Sequence, residues 1–463
     1  MRGKRRFRKA GDAGTAKRRI PLSKGQNLLA TAVLALYALA MLALALAPVS
    51  LAGRSVTAWA AVGTDASRAL SYGNTYLRTS PFSWMALYLN AAGVRPRRVP
   101  WKTTGVDYGN TRIPKGADAD PIAMTWDYRP LTLEAVPDGV DVLAPTWFYV
   151  QDGEDGAEVV DLAHLTEKKI TGWQPEQYVT KAHEGDAKVW GVVVSFDPDL
   201  SKQIVTDEER QAVFLQRLAG WVEAYHLDGI NFDFEKMDPD DAEAFTALIA
   251  AANKALPEDK VVSVCVTVPL DRESPDNWWQ CYDRKGLGVA ADYVAMMAYD
   301  SAEPGPVAPI DWVHSRLRVA LDQVPAEKLL LGIPFYGADL VFDTAAVADE
   351  ALPADGDAED SRTMLPSQLA KLESSGSYSS GGKKQAVEQW IDRGTWQDEL
   401  GMTRYAFLAT DNKLHVVYCE DADSIELKAG LLWYNRVAGA AVWRAGFGTD
   451  TLWRALGAGL NPQ

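Results

Sequence analysis

Short apolar runs that alternate with longer helical patterns constrain the fold of this chain more than any other feature. From about residue 120 onward, each run is rich in β-branched and aromatic residues, and a stretch with helical periodicity follows it. This alternation is typical of βα units that build a parallel sheet. The pattern predicts eight strands, at Ile122–Asp127, Val140–Tyr149, Val189–Phe196, Gly229–Glu235, Val261–Thr267, Ala291–Tyr299, Lys328–Phe335 and Gly439–Trp443.

Eight units of this kind within residues 120–456 predict an α/β protein with a (β/α)8 barrel, the TIM-barrel architecture. A doubly wound open sheet is the alternative, but no glycine-rich phosphate loop follows the first strand. Active sites of such barrels lie at the carboxyl ends of the strands, so the functional residues should be sought there.

The spacing between the seventh and eighth strands departs from the regular pattern. More than ninety residues separate Tyr336 from Gly430, where a loop and a helix need about thirty. We therefore expect an insertion over about 343–418. Its first part, 343–384, is rich in Ala, Asp, Ser and Gly and is expected to be partly a mobile loop. The apolar runs Thr403–Ala409 and Leu414–Tyr418 flank a turn sequence and predict a β-hairpin subdomain.

The amino terminus differs sharply from the rest of the chain. Residues 1–27 carry ten Lys and Arg against one Asp, and the uncharged Ala- and Leu-rich stretch Leu28–Ala47 follows them. About 20 helical residues span roughly 30 Å of hydrocarbon, which is enough to cross a bilayer. The stretch predicts either an uncleaved transmembrane anchor, which its length favours, or the h-region of a cleaved signal peptide. The basic flank should stay cytoplasmic, and residues 53–115 would form a stalk or linker outside.

Charge excludes one class of partner. Beyond residue 27 the chain holds 37 Lys and Arg against 61 Asp and Glu, a net charge of about -24. A body this acidic repels nucleic acid, so a nucleic-acid-binding function is excluded. We expect the protein to be a monomer. We expect it to lie on the outer face of a bacterial cell membrane, or in the medium if the signal is cleaved.

Cysteine and histidine usage argues against a disulfide framework and against a metal. The three cysteines allow at most one disulfide, and the sequence does not choose the pair. The five histidines are scattered, and none joins a Cys or a carboxylate at ligand spacing. We therefore expect no metal or organic cofactor.

The most informative strand is the fourth, which ends in Asn231-Phe232-Asp233-Phe234-Glu235. Alternate residues of a strand point the same way, so Asn231, Asp233 and Glu235 share one face. Helical patterns flank the strand on both sides, which argues against a half-exposed antiparallel strand and directs this face into the barrel. Two adjacent inward carboxylates should raise the pKa of one of the pair and keep it protonated near neutral pH. A carboxylic acid at the barrel rim is what cleavage of a glycosidic bond requires.

This segment resembles the Asp-Gly-x-Asp-x-Asp-x-Glu signature of family 18 glycoside hydrolases, the chitinase-like barrels. Three later blocks are similar to family strands in the same order, and the resemblance covers most of residues 120–456. The blocks are Met296-Met297-Ala298-Tyr299-Asp300, Leu331-Gly332-Ile333-Pro334-Phe335-Tyr336-Gly337 and Val442-Trp443-Arg444-Ala445-Gly446.

Asn231 stands where the family has its middle Asp, and several neighbouring blocks are similar to the spore-cortex-lytic branch of the family. Members of that branch are N-acetylglucosaminidases that act on peptidoglycan. A neutral amide cannot share a proton as an Asp can, so we expect Asn231 to orient Asp233. The LysM wall-binding repeats usual in the branch are missing, and the apolar N-terminal stretch stands in their place.

The resemblance implies a retaining, substrate-assisted mechanism. Glu235 would protonate the leaving oxygen, and the 2-acetamido carbonyl of the substrate would attack C1. Asp233 would hold the acetamido N–H, and Tyr299 would hold its oxygen. Contacts to the substrate are expected from Asn231, Asp300, Trp443, Met297, Tyr336 and Trp147, although Trp443 and Trp147 could instead be packing residues.

The implied substrate is a β-1,4-linked glycan that contains N-acetylglucosamine, with bacterial peptidoglycan favoured. Two alternatives remain open. One is a chitinase-type hydrolase of other N-acetylglucosamine glycans. The other is a non-catalytic carbohydrate-binding barrel, although such proteins typically lack the acid that Glu235 supplies here.

Overall fold

Eight parallel strands close into a barrel. The structure is a computed structural model that describes residues 121–166, 170–269, 277–301, 304–343, 352–380 and 382–460. The predicted basic segment 1–27, the apolar stretch 28–47 and the stalk 53–115 lie outside the described residues. Within the described ranges, no helix is both long enough and apolar enough to cross a membrane.

The barrel is closed by pairing of its first and last strands. Its strands are β1 Ile122–Asp127, β2 Val142–Gly153, β4 Lys188–Ser195, β5 Gly229–Phe234, β6 Val261–Thr267, β7 Tyr293–Met297, β8 Leu329–Pro334 and β15 Gly439–Trp443. β1 pairs in parallel with β15 on one side and with β2 on the other. A short strand, β3 (Gly156–Asp161), forms an antiparallel hairpin with β2. The closed sheet confirms the predicted (β/α)8 barrel and excludes the open doubly wound sheet.

Helices cover the outside of the barrel. They are α1 Pro175–Glu184, α2 Pro198–Thr206, α3 Glu208–Ala224, α4 Ala242–Ala255, α5 Arg284–Ala290, α6 Ile310–Leu321, α8 Ala422–Asn435 and α9 Asp450–Leu460. α3 shows why the sequence forms them. The Asp207 side chain accepts hydrogen bonds from two backbone N–H groups of its first turn, and Phe214, Leu218 and Val222 are buried at helical spacing.

A second sheet lies between β8 and β15 in the sequence. Its elements are β9 Gly337–Asp343, β10 Asp360–Met364, α7 Pro366–Ser375, β11 Ser377–Ser380, β12 Lys383–Gln397, β13 Met402–Ala409 and β14 Lys413–Cys419. The six strands are antiparallel, in the order β10-β9-β14-β13-β12-β11. The hairpin predicted around Thr403–Ala409 and Leu414–Tyr418 corresponds to β13 and β14. The stretch 343–384, where a partly mobile loop was expected, contains β10, α7 and β11.

The second sheet carries a buried polar network. Asp339 and His415 are both fully buried, and His415 Nδ1 lies 2.8 Å from Asp339 Oδ1. The Tyr378 hydroxyl donates to Asp339 Oδ2. The His415 ring stacks on Phe407 at 5.1 Å between centroids. Both oxygens of the Asp339 carboxylate therefore have partners, as the burial of a charge requires.

All three cysteines are buried free thiols. The single disulfide that their number allows is not formed between Cys265, Cys281 and Cys419.

Candidate active site

The outward face of β5 anchors this strand against the helices. Ile230, Phe232 and Phe234 are fully buried. The Phe234 ring stacks on Phe245 of α4 at 5.5 Å between centroids, and the Phe232 ring lies 6.3 Å from Phe214 of α3. This face is the one predicted to contact the helices, so the alternate residues point into the barrel.

Asn231 is the deepest of the three inward residues and is fully buried. Its Oδ1 accepts hydrogen bonds from Trp126 Nε1 at 3.1 Å and from the Cys265 thiol at 3.2 Å. Its Nδ2 donates to Ser263 Oγ at 2.9 Å. The amide thus joins β1, β5 and β6 inside the barrel.

Asp233 lies one step nearer the rim. Its Oδ1 is shielded from solvent and has no hydrogen-bond partner among the described residues. Burial, as the largest cause, and the negative charge of Glu235 raise the pKa of Asp233 well above its usual value, and the Cys265 side chain lowers it by a smaller amount. Asp233 therefore offers one vacant acceptor in a poorly hydrated position.

Glu235 follows the last residue of β5, and its backbone N–H donates to the Ser195 carbonyl at 2.8 Å. Burial raises the pKa of Glu235, the adjacent Lys236 lowers it, and the Asp300 carboxylate raises it further. The pKa values of Asp233 and Glu235 are both raised. Burial is the largest cause for both groups, whereas the spacing alone predicted a raised pKa for one of the two, and the pair is suited to share a proton.

Three further predicted residues meet at the ends of β7 and β8. The Tyr336 hydroxyl donates to Asp300 Oδ1 at 2.7 Å, and the Tyr299 ring lies 6.3 Å from the Tyr336 ring in an edge-to-face arrangement. Burial raises the pKa of Tyr299 well above 10, so its hydroxyl remains a hydrogen-bond donor. Asp300 is exposed and has a φ of 57°, in the left-handed region.

Trp443 and Met297 occupy the ends of β15 and β7, and both are half-buried. The Trp443 ring lies 6.2 Å from Trp126 and 6.4 Å from Tyr128, between centroids. Seven of the nine predicted site residues therefore lie at the carboxyl rim of the barrel and are partly exposed to solvent. The seven are Asp233, Glu235, Met297, Tyr299, Asp300, Tyr336 and Trp443.

Two predicted substrate contacts are corrected by burial. Trp147 is fully buried, its Nε1 donates to the Pro130 carbonyl at 3.0 Å, and its ring lies 5.0 Å from the Tyr178 ring. It belongs to the core, where its ring also lies 5.7 Å from the Trp173 ring. Asn231 is also fully buried and hydrogen-bonds to Trp126, Ser263 and Cys265.

The sequence interpretation missed the residues that surround Asn231. Ser263 and Cys265 are two positions apart on β6, a strand predicted with its correct bounds. The same alternation that directed Asn231 and Asp233 inward would have placed both of them inside the barrel. Trp126 gave no such signal, since one aromatic at a strand end is as often a packing residue.

The described part of the chain has no cluster of three or more His, Cys, Asp or Glu side chains arranged to hold a metal ion.

Comparison with known proteins agrees with this geometry. Residues 196–448 match the sequence profile of glycosyl hydrolases family 18. The chain is 26% identical to the uncharacterized glycosylase YvbX of Bacillus subtilis, over 63% of this chain and 81% of that protein. It is 24% identical to the cortical fragment-lytic enzyme of Bacillus anthracis, over 57% of this chain and 56% of that enzyme. The chain thus spans little more than half the length of the latter.

Solved structures share the fold. The spore cortex-lytic enzyme SleL of Bacillus megaterium matches with a TM-score of 0.57 and 20% identity, over 75% of this chain and 74% of that one. A chitinase from Chromobacterium violaceum matches with a TM-score of 0.58 and 21% identity, over 74% of this chain and 100% of that one. The predicted resemblance to the spore-cortex-lytic branch is confirmed. The chain belongs to the glycosyl hydrolases of family 18 and is a glycosidase.

Proposed function

We propose that this glycosidase cleaves β-1,4 bonds next to N-acetylglucosamine in peptidoglycan, with retention and with the substrate's acetamido group as nucleophile. The observation that carries the proposal is the inward pair Asp233 and Glu235 at the barrel rim, with raised pKa values and one vacant carboxylate oxygen.

Glu235 is the proton donor. Its raised pKa favours the protonated form, and its place after the end of β5 puts it at the mouth of the barrel. It transfers its proton to the glycosidic oxygen as the C1–O bond breaks. The acetamido carbonyl oxygen then bonds to C1 and forms a cyclic oxazolinium ion.

Asp233 stabilises that ion. Its vacant Oδ1 accepts the acetamido N–H, which aligns the carbonyl oxygen with C1. When Glu235 has given up its proton, the ionised Asp233 faces the positive charge of the oxazolinium ring. A fixed charge in a poorly hydrated site stabilises such an ion more than water does.

Tyr299 and Glu235 complete the cycle. The Tyr299 hydroxyl stays protonated and donates to the acetamido oxygen. A water molecule then attacks C1, its proton passes to the Glu235 carboxylate, and the bond from C1 to the acetamido oxygen breaks. Two displacements at C1 leave its configuration unchanged.

The relatives favour peptidoglycan as the substrate. Cortical fragment-lytic enzymes from three Bacillus species are among the matching proteins. The rat di-N-acetylchitobiase, at 23% identity over 64% of this chain, keeps hydrolysis of other N-acetylglucosamine glycans as the second candidate. A non-catalytic barrel is disfavoured because the acid Glu235 is present.

One assay separates these functions. We would measure the release of reducing N-acetylglucosamine ends from purified peptidoglycan and from chitin oligomers, with the full chain and with Glu235→Gln. We expect activity on peptidoglycan that the variant loses. No activity on either substrate would overturn the enzymatic function, and activity on chitin alone would overturn the peptidoglycan assignment. NMR of the first product should show the β-anomer, and an α-anomer would overturn retention.

The location outside the cytoplasm is also proposed, and the basic segment 1–27 followed by an apolar stretch supports it. N-terminal sequencing of material from membranes and medium tests it. An intact N-terminus in the membrane fraction indicates an anchor, and a new N-terminus in the medium indicates cleavage. Intact protein in the cytosol alone would overturn the proposal.

A further inference from the structure

Arg444 directly follows Trp443 at the rim, and its guanidinium lies against two aromatic rings. The guanidinium carbon lies 4.3 Å from the centroid of the Phe447 ring and 5.4 Å from that of the Tyr128 ring. Its side chain makes no hydrogen bond and no ion pair to any residue in the described ranges. A guanidinium has five N–H donors, so this half-buried group is held in place with its donors unused.

The aromatic contacts fix the position of this cation. Cation–π attraction to two rings holds the guanidinium plane and reduces the freedom that an arginine on the surface would have. Asp127 is near enough for its pKa to be lowered by Arg444, but the Asp127 carboxylate accepts a 2.8 Å hydrogen bond from the Tyr178 hydroxyl. The two side chains form no ion pair.

The cation adjoins the groups assigned to the reaction. The Tyr128 ring contacts the Trp443 ring, and the Phe447 ring lies 6.2 Å from that of Tyr336. Tyr336 in turn hydrogen-bonds Asp300. Arg444 thus lies one aromatic ring away from both Trp443 and the Tyr336–Asp300 pair, at the edge of the same site.

The surface around Arg444 is acidic, so the absence of an ion pair to its guanidinium within the described ranges suggests that the group serves a ligand. The chain beyond residue 27 is strongly acidic, and Asp233, Glu235 and Asp300 lie at the site itself. A glycan that carries carboxylates is repelled by such a surface unless a cation meets it. Arginine binds carboxylates through two parallel N–H···O bonds, which gives both attraction and orientation.

We propose that Arg444 is a carboxylate-binding subsite that selects acidic amino-sugar glycans over neutral ones. This inference rests on the proposed function and deepens it. Peptidoglycan bears carboxylates on its stem peptides and on the lactyl groups that carry no peptide, whereas chitin bears none. The specificity is therefore carried by an anion contact at the rim, separate from the recognition of the acetamido group by Asp233 and Tyr299.

Binding to an inactive enzyme tests the subsite independently of catalysis. The ligands are soluble peptidoglycan fragments with free carboxylates, and the same fragments after conversion of the carboxylates to amides. Full-length Glu235→Gln is titrated with each by calorimetry, alone and combined with Arg444→Gln. We expect Arg444→Gln to weaken binding of the free-acid fragments about tenfold and to leave the amidated fragments within twofold.

Two control variants separate the effect of the Arg444 charge on binding from an effect on folding. Arg393 lies over the Trp390 ring in the second sheet at 5.5 Å, so Arg393→Gln removes a similar cation–π contact away from the site and should change neither binding constant. Arg444→Lys keeps the charge and should lose only part of the effect. If Arg444→Gln does not fold, the preference of Glu235→Gln for free-acid over amidated fragments provides the test.

Equal binding of acid and amidated fragments by Glu235→Gln would overturn the subsite. So would an equal loss of both in Arg444→Gln. Failure of the proposed function has a different signature, because the unmodified full chain would then release no sugar from either substrate while the binding preference persisted.

Discussion

Two aspartates of this molecule have opposite surroundings. Asp339 in the second sheet is fully buried, and Tyr378 and His415 occupy both of its oxygens. Asp233 in the barrel has one shielded oxygen without a partner, and its pKa is raised. A satisfied buried carboxylate stabilises a fold, whereas a vacant one disfavours folding and is retained where a ligand can fill it. Substitutions in the two regions should therefore separate stability from activity.

The largest expected effect is on catalysis. Glu235→Gln removes the proton donor with almost no change in volume, so kcat should fall about 1000-fold. The thermal unfolding midpoint of Glu235→Gln should not fall. The substitution removes a carboxyl whose raised pKa shows that its ionised form is unfavourable in the folded protein. Initial rates and thermal unfolding measure the two effects. Glu388→Gln, an exposed Glu of β12, is the matched control. A fall in kcat of less than tenfold would remove Glu235 from its role.

The second largest expected effect is on the free energy of unfolding, for a substitution in the second sheet. Asp339→Ala removes the carboxylate that both the Tyr378 hydroxyl and His415 Nδ1 contact in the core, so unfolding should become about 3 kcal/mol easier. Urea unfolding followed by tryptophan fluorescence measures this change. Activity per folded molecule at low temperature should stay within twofold. A stability unchanged within 0.5 kcal/mol, roughly the effect of a surface substitution, would contradict the structural role.

Asp233→Asn should have the reverse profile of Asp339→Ala. Loss of the negative charge that faces the oxazolinium ion should lower kcat about 100-fold. A carboxyl whose folded pKa is raised stabilises fully below its unfolded pKa, and this stability is lost as the pH rises through the folded value. The parent protein should therefore lose stability as the pH rises above about 4, and Asp233→Asn should lose less over the same range. Thermal midpoints from pH 4 to pH 9 measure it, and identical slopes for both proteins would contradict the raised pKa.

The smallest expected effect concerns Cys265. The thiol lowers the pKa of Asp233, so Cys265→Ala should shift the acid limb of the pH–rate profile to higher pH and reduce kcat/KM about tenfold at the original optimum. Cys265→Ser restores a donor and should recover most of the loss. The pH dependence of kcat/KM measures both variants. An unshifted acid limb in Cys265→Ala would show that the thiol is only a packing residue.

The barrel could be predicted from sequence because its signal is local. β1, β6 and β15 have the predicted bounds, and the inward face of β5 follows from alternation alone. Each of these strands is short and mostly buried, so its apolar pattern can be read without knowledge of its neighbours.

The second sheet could not be predicted in the same way. β12 runs over Lys383–Gln397, most of its residues are exposed, and its register with β13 shifts at three places. Each shift changes the face on which alternate residues lie, so no regular apolar alternation remains in the sequence. The burial of Trp147 and the partners of Asn231 were missed for a related reason. Both depend on which strands become neighbours across the barrel.

The pairing of β1 with β15 also has a consequence for how the protein is made. The Thr125 hydroxyl bonds to the Val442 carbonyl, 317 positions later in the chain. At roughly 5–20 residues per second, a ribosome needs on the order of 20–60 s to deliver the last strand after the first. Until then β1 has an unpaired backbone edge, which is the kind of surface on which nascent chains aggregate. Yield of this protein should therefore depend on how well that edge is protected during synthesis.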